Sequence, residues 1–311
     1  MRLKNAFKIL FGNINIMYKA VIYRLICTAI VVLVAYFAVF PELLSVTRSD
    51  ESVALLNAVQ KFVSEFLTGK GIVADSLHPS FTAFVKMLND NLSSLFLVGI
   101  ECSVLLVVLK ILYGLGDFVF AVLYDRYMSS MAKFGVISTL LANFGRGLLY
   151  SLVYSVISLV AESVIVGISV LIVVYGLEYI SVFAIILSVV FLVFGFSLKY
   201  TLLSRFMPGM ICGRKKLGKA FRSTVPNANN FSALMGTYSF MLLLFYYINA
   251  SFGILTLYVG LFISVPLTSL YFICVALVDY YMADNRSFYV DYNSVAKPKE
   301  DAENADMLKY L

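Results

Sequence analysis

The sequence has little of the chemistry that enzymes and metalloproteins use. It contains one histidine, His78, and its four cysteines are dispersed, with no pair at the spacing of a metal site. These residues do not build an ordinary zinc site, and a nucleophilic triad lacks a histidine base within the apolar runs. The glycines form no phosphate-cradling loop. We therefore expect no metal, no cofactor and no enzymatic activity.

Charged residues are also scarce. They make up 14% of the 311 residues, whereas 61% are hydrophobic, and an average soluble domain has about 25% charged residues. This composition predicts an integral membrane protein. The net charge is +6, but the basic residues cluster beside apolar runs, where anionic lipid headgroups and insertion orientation explain them. We expect membrane lipids as partners and no nucleic acid, and we leave open a membrane-protein partner or a second copy of the chain.

Six apolar runs have about the length that a hydrocarbon core of about 30 Å requires. They are residues 21–40, 92–115, 148–174, 181–198, 231–248 and 254–277. The first follows a basic segment but lacks a small-x-small cleavage site, so we interpret it as a retained span and not as a signal peptide. The prediction is an all-α, polytopic integral membrane bundle that forms a single transmembrane domain over residues 1–282.

The most basic connector, residues 199–231, predicts the orientation of the bundle. It holds seven Lys or Arg residues and no acid, and positive charge near the ends of spans resists translocation. Six spans then place both termini on the cytoplasmic side of the cell membrane.

Two polar intervals lie outside the predicted spans. The outer interval, residues 41–91, is predicted to hold two amphipathic helices that cap the outer face, and a disordered loop is the alternative. Residues 283–311 lack apolar periodicity over most of their length and predict a flexible cytoplasmic tail.

Three basic segments, here called elbows, each precede a pair of spans and place apolar or small residues at i, i+3, i+4 and i+7. The residues are Phe7, Leu10, Phe11 and Ile14 in the first elbow, Ile137, Leu140, Leu141 and Phe144 in the second, and Leu217, Ala220, Phe221 and Thr224 in the third. We expect helices in the membrane interface and a threefold repeat of elbow plus hairpin. The alternative is that six-span proteins place amphipathic segments inside by default.

Residues 203–281 resemble a known family in the order of their motifs. A proline near a helix end, a Gly-basic turn, a helix with alanine and aromatic residues, and an asparagine before the next span follow one another in PGMICGRKKLGKAFRSTVPNANNF. This order is similar to that of the six-helix membrane domain attached to some bacterial glycerophosphodiester phosphodiesterases, and of related stand-alone membrane proteins. The resemblance implies the architecture and a bacterial membrane. It transfers no catalytic residue, because these 311 residues hold no phosphodiesterase domain.

Two carboxylates, Glu101 and Glu162, lie well inside apolar runs at similar predicted depths. A charge at such a place is costly and usually faces the bundle interior or a wet cavity. The two are a candidate proton or cation site: if they meet, they would share a proton or bind a cation, because like charges in a low dielectric do not both stay ionised cheaply. The alternative is that each is protonated separately and hydrogen-bonded to a neighbour such as Ser103 or Ser163.

Three basic residues, Lys215, Lys219 and Arg222, are predicted to share one face of the third elbow, opposite Leu217 and Phe221. Attraction to anionic lipid contributes about 1 kcal/mol per basic residue near the surface. We predict contacts with lipid headgroups here, and the alternative is a role in orientation alone.

These features predict a non-enzymatic membrane protein. It would act as a scaffold or accessory subunit that organises lipid or a partner at the cytoplasmic face. The alternative is a small proton- or cation-coupled transporter that uses Glu101 and Glu162.

Overall fold

A computed structural model describes most of the chain. The described residues are 2–39, 41, 50–68, 77–90, 92–132, 134–180, 182–226, 228–291 and 294–297. Helix accounts for 86% of the structure, with almost no sheet. Six helices are long and apolar enough to cross a membrane. The predicted all-α class and the predicted number of spans are therefore confirmed.

The described residues form eleven helices and one hairpin. In chain order the helices are α1 (Arg2–Gly12), α2 (Ile14–Ala38), α3 (Asp50–Thr68), α4 (Leu77–Asp90), α5 (Leu92–Ser130), α6 (Val136–Ile180), α7 (Val182–Leu203), α8 (Phe206–Ile211), α9 (Leu217–Arg222), α10 (Ala228–Leu255) and α11 (Leu261–Ala283). The strands β1 (Phe288–Asp291) and β2 (Ser294–Ala296) pair antiparallel. The candidate spans are α2, α5, α6, α7 with α8, α10 and α11.

Two of these helices are much longer than the predicted spans. Helix α5 has 39 residues and α6 has 45, so at about 1.5 Å per residue both are far longer than a hydrocarbon core of about 30 Å. The second elbow is therefore the first turns of α6 and not a separate interfacial helix. No proline interrupts this part of the helix. It contains Gly147, and a Cβ added at this position would lie only 3.0 Å from the Leu115 side chain and 3.2 Å from the Phe118 side chain, so the glycine permits close packing against α5.

The first and third elbows do form separate helices, α1 and α9. In α1 the buried residues are Ala6, Ile9 and Leu10, which pack in the core with α11 and β1. Phe7 is 54% exposed and Phe11 45% exposed. The predicted apolar face is therefore divided: Leu10 packs against the protein, whereas Phe7 and Phe11 are exposed on the surface of the protein. The three elbows do not share one structure, and the threefold repeat stays a prediction.

The turn between the last two spans lies further along the chain than predicted. Residues 249–253 are helical, and α10 and α11 are joined by Thr256–Gly260. Asn249 resembles a turn residue in sequence, but its Nδ2 donates to Thr268 Oγ1 of α11 over 3.4 Å. The turn itself is closed by the Gly260 amide, which donates to Thr256 Oγ1 over 2.7 Å.

The segment predicted to be a flexible tail is partly folded. Phe288 and Val290 are buried, at 1% and 4% exposure, and β1 packs against α1. Their i, i+2 spacing is the signal of a strand with one covered face. The predicted tail residues from 298 onward lie outside the described part of the chain.

The predicted pair of helices in the outer interval is confirmed as α3 and α4, which pack against each other. Val59 and Val63 belong to the predicted apolar face of α3, yet they are 41% and 45% exposed. Residues 42–49 and 69–76 of this interval lie outside the described residues. The capping of the outer face stays a prediction.

The chain divides into two compact units. The first unit comprises Met1–Cys27, Lys110–Ile157 and Ser197–Leu311, and the second comprises Thr28–Leu109 and Ser158–Phe196. The main cluster of buried residues lies in the first unit, with Phe118, Tyr124 and Phe206 among its largest side chains. In the second unit, Ser188 Oγ donates to the Ser169 carbonyl over 3.2 Å.

A buried acid attaches the N-terminal helix α1 to the rest of the first unit. The side chain of Asp279 is 1% exposed, its Oδ1 lies 2.9 Å from Arg2 Nε, and its Oδ2 lies 3.7 Å from Arg205 Nη2. The Tyr271 hydroxyl donates to the Leu3 carbonyl over 2.9 Å. Because Arg205 directly precedes α8, this acid connects α1, α8 and α11.

This arrangement predicts unequal effects for the two acids that pair with α1. Asp279→Ala leaves Arg2 and Arg205 without their anion, and breaking a buried pair in this way costs about 3–5 kcal/mol. The matched control is Asp291→Ala, because Asp291 and Lys8 are 38% and 46% exposed at 3.5 Å and such pairs contribute about 1 kcal/mol or less. Thermal unfolding in detergent micelles should show a large fall in Tm for Asp279→Ala alone. Equal shifts for the two variants would contradict a buried anchoring pair.

Candidate functional site

A cavity of about 250 Å³ lies within the first unit, between α5, α6, α7, α8, α10 and α11. We call it the tyrosine cavity, because four of its five aromatic lining residues are tyrosines. The aromatic residues are Tyr150, Tyr154, Tyr200, Tyr238 and Phe272. The polar remainder of the lining is one carboxylate, Asp117, with the hydroxyl residues Ser204, Thr268 and Ser269. The other lining residues are apolar.

Helical spacing places these residues on common faces. On α11 the lining residues are Val265, Thr268, Ser269, Phe272, Ile273 and Ala276. They follow the i, i+3, i+4, i+7 rule of a single helix stripe. The pairs Tyr150–Tyr154 on α6 and Tyr238–Leu242 on α10 are each four residues apart, which again puts both members on one face.

The aromatic rings are held by stacking on one another. Tyr150 and Tyr154 have ring centroids 5.3 Å apart with planes at 17°, and Tyr200 and Tyr238 are 5.9 Å apart at 29°. Phe272 joins the second pair, with its centroid 5.7 Å from Tyr238 and 4.8 Å from Tyr200. Contacts of this kind add about 0.5–1.5 kcal/mol per pair beyond burial. The cavity therefore has preformed aromatic walls.

An ion pair from two spans lies at the polar side of the cavity. Arg24 of α2 donates through Nη2 to Asp117 Oδ1 of α5 and to Ser269 Oγ of α11. Its guanidinium also lies 5.0 Å from the centre of the Tyr113 ring. The Arg24 side chain is only 7% exposed and does not line the cavity, whereas Asp117 is 22% exposed and does. The negative member of the pair thus faces the open space.

Two glycines allow the helices to approach closely around Asp117. A Cβ at Gly116 would lie 2.3 Å from the Tyr23 ring of α2, and one at Gly114 would lie 2.7 Å from Ser151 Oγ of α6. The approach is secured by hydrogen bonds, since the Tyr23 hydroxyl donates to the Leu112 carbonyl over 2.8 Å and Ser151 donates to the Ile111 carbonyl. Small residues serve the same purpose at helix interfaces in membranes generally.

A second cavity of about 280 Å³, also in the first unit, is lined by residues of α1, α2 and α5 and by the turn before α6. Its lining includes Asn13, Asn15, Lys19, Tyr127 and Phe134. Lys19 is the charged residue of this lining, and among the described residues it forms no ion pair; its Nζ lies 6.0 Å from the centre of the Tyr18 ring. The tyrosine cavity is the stronger candidate, because ionisable residues inside a helical bundle usually mark a functional site.

The two predicted carboxylates lie in the second unit and not in this cavity. Glu162 accepts a hydrogen bond of 2.7 Å from Ser158 Oγ, one turn earlier on α6. Glu101 Oε2 is buried with no hydrogen-bond partner among the described residues, and Ser103 donates instead to the Gly99 carbonyl over 2.7 Å. The Ser103 hydrogen is thus not available to Glu101, while the predicted meeting of Glu101 with Glu162 and the alternative of separate protonation both stay predictions.

The three predicted lipid-contacting residues do not act alike. Lys215 Nζ donates to Ser223 Oγ over 3.0 Å and so remains within the elbow, whereas Lys219 and Arg222 are exposed. Two further cations that precede them in the chain, Arg214 and Lys216, are also exposed. We call the four residues the basic face: Arg214, Lys216, Lys219 and Arg222. Lys199 of the same connector is 5% exposed, so it belongs to the bundle and not to this surface.

Sequence reasoning missed Arg24 and Asp117, although the signal was the same as for Glu101. Both are ionisable residues inside helices that are mostly apolar. Arg24 lies close to the start of the predicted run 21–40, and Asp117 lies two residues beyond the predicted end of 92–115. Both therefore resembled flanking charges. Among the described residues no cluster of His, Cys, Asp and Glu could hold a metal ion.

The ion pair predicts a strong coupling between its two members. Asp117→Asn leaves the buried Arg24 guanidinium without an anion, and Arg24→Gln leaves the carboxylate without its cation, so each single variant should lower the Tm. The double variant removes both charges and should recover part of the loss, since coupled neighbours show interaction energies of about 0.5–3 kcal/mol. Thermal unfolding of the four proteins measures this cycle. Additive effects of the two substitutions would contradict the pair.

The chain matches no protein-family model, no curated protein and no solved structure. The resemblance of residues 203–281 to the membrane domain of glycerophosphodiester phosphodiesterases therefore stays a prediction.

Proposed function

We propose that the protein is a small transporter that binds an organic molecule in the tyrosine cavity and carries it across the membrane. One observation carries the proposal: inside a bundle of spanning helices, the carboxylate of Asp117 faces an open space while its partner Arg24 lies outside the lining. Ionisable groups within spans are costly, and they usually mark the pathway of a substrate or ion.

The lining of the cavity supports binding of a ligand. Ligand sites are concave and mostly apolar, with a few polar groups that orient the ligand. The tyrosine cavity has this composition, because five aromatic rings and several aliphatic side chains surround Asp117 and three hydroxyl residues. Its volume of about 250 Å³ lies just below the range of about 300–1,000 Å³ for drug-sized ligands. A small solute is the expected ligand.

The proposal assigns no chemical step to the protein. Among the described residues that line the cavity there is no histidine or cysteine, and the lining carboxylate already accepts from Arg24. Substrate binding and release are sufficient for the proposed role. Glu101 and Glu162 enter as a coupling site for a proton or cation, in the second unit.

A transporter of this kind should lose its ligand when the cavity is filled. Ala276 lines the cavity and is 8% exposed, so Ala276→Leu places three more carbon atoms in the space. The control is Ala233→Leu, an identical change at an exposed position of α10. Uptake of a panel of small organic cations, anions and neutral solutes into proteoliposomes should reveal a substrate whose uptake falls in Ala276→Leu only.

The outcome against the proposal is a panel in which no solute enters wild-type proteoliposomes faster than protein-free vesicles. In the same assay, Glu101→Gln and Glu162→Gln should slow uptake while ligand binding remains. Unchanged uptake in both variants would contradict the coupling role of Glu101 and Glu162, but not the binding of a ligand in the tyrosine cavity.

A second candidate function is the organisation of anionic lipid at the cytoplasmic face. The basic face supports it, because Arg214, Lys216, Lys219 and Arg222 are all exposed within one short stretch of the chain, and Phe221 in the same stretch is 44% exposed. Basic residues and an apolar side chain on one surface suit the boundary between headgroups and acyl chains. In this proposal the protein is a scaffold in the cell membrane with both termini in the cytoplasm.

The lipid proposal predicts that the basic face retains anionic lipid through purification. Neutralising Lys216, Lys219 and Arg222 to Gln should reduce the retained anionic lipid, since each contributes about 1 kcal/mol near the surface. The matched control is Lys215→Gln, because Lys215 already donates to Ser223. Equal lipid content in the triple variant and the wild type would contradict the proposal.

The sidedness of this surface has its own control. A reporter fused after Leu311 should read cytoplasmic if the basic face meets the cytoplasmic leaflet. An extracytoplasmic reading would overturn both the six-span orientation and the proposed leaflet.

A further inference from the structure

The tyrosine cavity also carries information about the charge of its ligand. This inference rests on the proposed function, since it concerns the same site. Three features of the lining bear on the question: the sign of the charge that faces the space, the use of the hydroxyl hydrogens, and the aromatic walls. Each is taken from the described contacts of the first unit.

The charge that faces the space is negative. Asp117 is the one acidic residue of the lining, and the lining includes no Lys or Arg among the described residues. Arg24 contacts Oδ1 of this carboxylate, and Oδ2 makes no hydrogen bond within the described part of the structure. The guanidinium itself is engaged by Asp117, Ser269 and the Tyr113 ring. An anionic ligand would therefore meet the wrong sign.

The serine and threonine hydroxyls of the lining offer acceptors more than donors. Ser204 Oγ donates to the Thr201 carbonyl over 2.8 Å, and Thr268 Oγ1 donates to the Ser264 carbonyl over 2.8 Å. Ser269 Oγ accepts from Arg24. A hydroxyl has a single hydrogen, so Ser204 and Thr268 have none left for a ligand. Ser204 keeps its lone pairs, and Thr268 keeps one beside the one that accepts from Asn249. Anion sites need donors, and neither Ser204 nor Thr268 supplies one.

The aromatic walls complete the site. Rings carry a negative face, and a cation within about 6 Å of a ring centroid is attracted to it; cages of such rings recognise quaternary ammonium groups. Tyr154 and Tyr200 are the half-buried members of the two stacked tyrosine pairs, while Tyr150 and Tyr238 are buried. Together with Phe272 they supply aromatic surface to the cavity from α6, α7, α10 and α11.

From these three features we infer that the ligand of the tyrosine cavity is a small organic cation, an ammonium with apolar substituents. Asp117 balances its charge, and Tyr154 and Tyr200 contact its substituents. Arg24 is a positioning residue that holds the carboxylate in place from outside the lining.

The test uses three probes of one shape and different charge: tetramethylammonium, tert-butanol and pivalate. Binding to the full-length protein is measured by calorimetry in dodecyl maltoside micelles at constant ionic strength. A phosphatidylcholine bilayer is avoided because its headgroups are themselves quaternary ammonium ions. We expect binding of tetramethylammonium alone.

Variants assign the binding to the cavity. Tyr154→Leu and Tyr200→Leu should each weaken binding of tetramethylammonium roughly tenfold, whereas Tyr200→Phe, which keeps the ring, should bind as the wild type does. The double variant Arg24→Gln/Asp117→Asn has lost the negative charge without leaving an unpaired one, and its affinity should also fall roughly tenfold. A measured Tm for each variant separates lost binding from lost folding.

The outcomes distinguish this inference from the proposed function. Preference for tert-butanol or pivalate, with a loss of that binding in Ala276→Leu, overturns the cationic ligand and leaves the proposed function standing. Binding of tetramethylammonium that survives in the double variant also overturns it. If none of the three probes binds, the inferred ligand class is wrong, and the proposed function then depends on the wider panel alone.

Discussion

Pairing of charge inside an apolar bundle is the constraint on which the first unit depends. An isolated ion there is very costly, so a buried acid requires a partner within reach. Asp117 and Asp279 meet arginines that lie far away in the chain, Arg24 and Arg2, and the second acid also meets Arg205. These pairs bring α2 to α5 and α1 to α11. The N-terminal helix is thereby part of the fold and not an appendage on the lipid surface.

Close helix approach makes this pairing geometrically feasible. Gly114 and Gly116 remove the side chains that would separate α5 from α6 and α2, and Tyr23 and Ser151 then hydrogen-bond to carbonyls of α5. The stacked tyrosines line the same cavity as this acid.

The two proposed functions use different parts of one unit. The tyrosine cavity presents an acid to its interior, and the basic face presents cations to the outside. The bundle cations Arg24, Lys199 and Arg205 are largely buried and do not belong to the basic face. The predicted orientation depends on the same surface cations, because both insertion and lipid attraction act on exposed Lys and Arg residues near the ends of spans.

Hydrophobicity and run length, which are local properties, were sufficient to predict the all-α class, the six spans, and the helices α1, α3, α4 and α9. The ends of elements were less predictable, because Asn249 forms a hydrogen bond inside the bundle where its sequence suggests a turn. The hairpin of β1 and β2 depends on α1, which comes from the other end of the chain. The cavity belongs to tertiary structure alone: Asp117 lies at the edge of an apolar run, and only the fold pairs it with Arg24 of α2 and brings Ser269 and the stacked tyrosines of four further helices into the same lining.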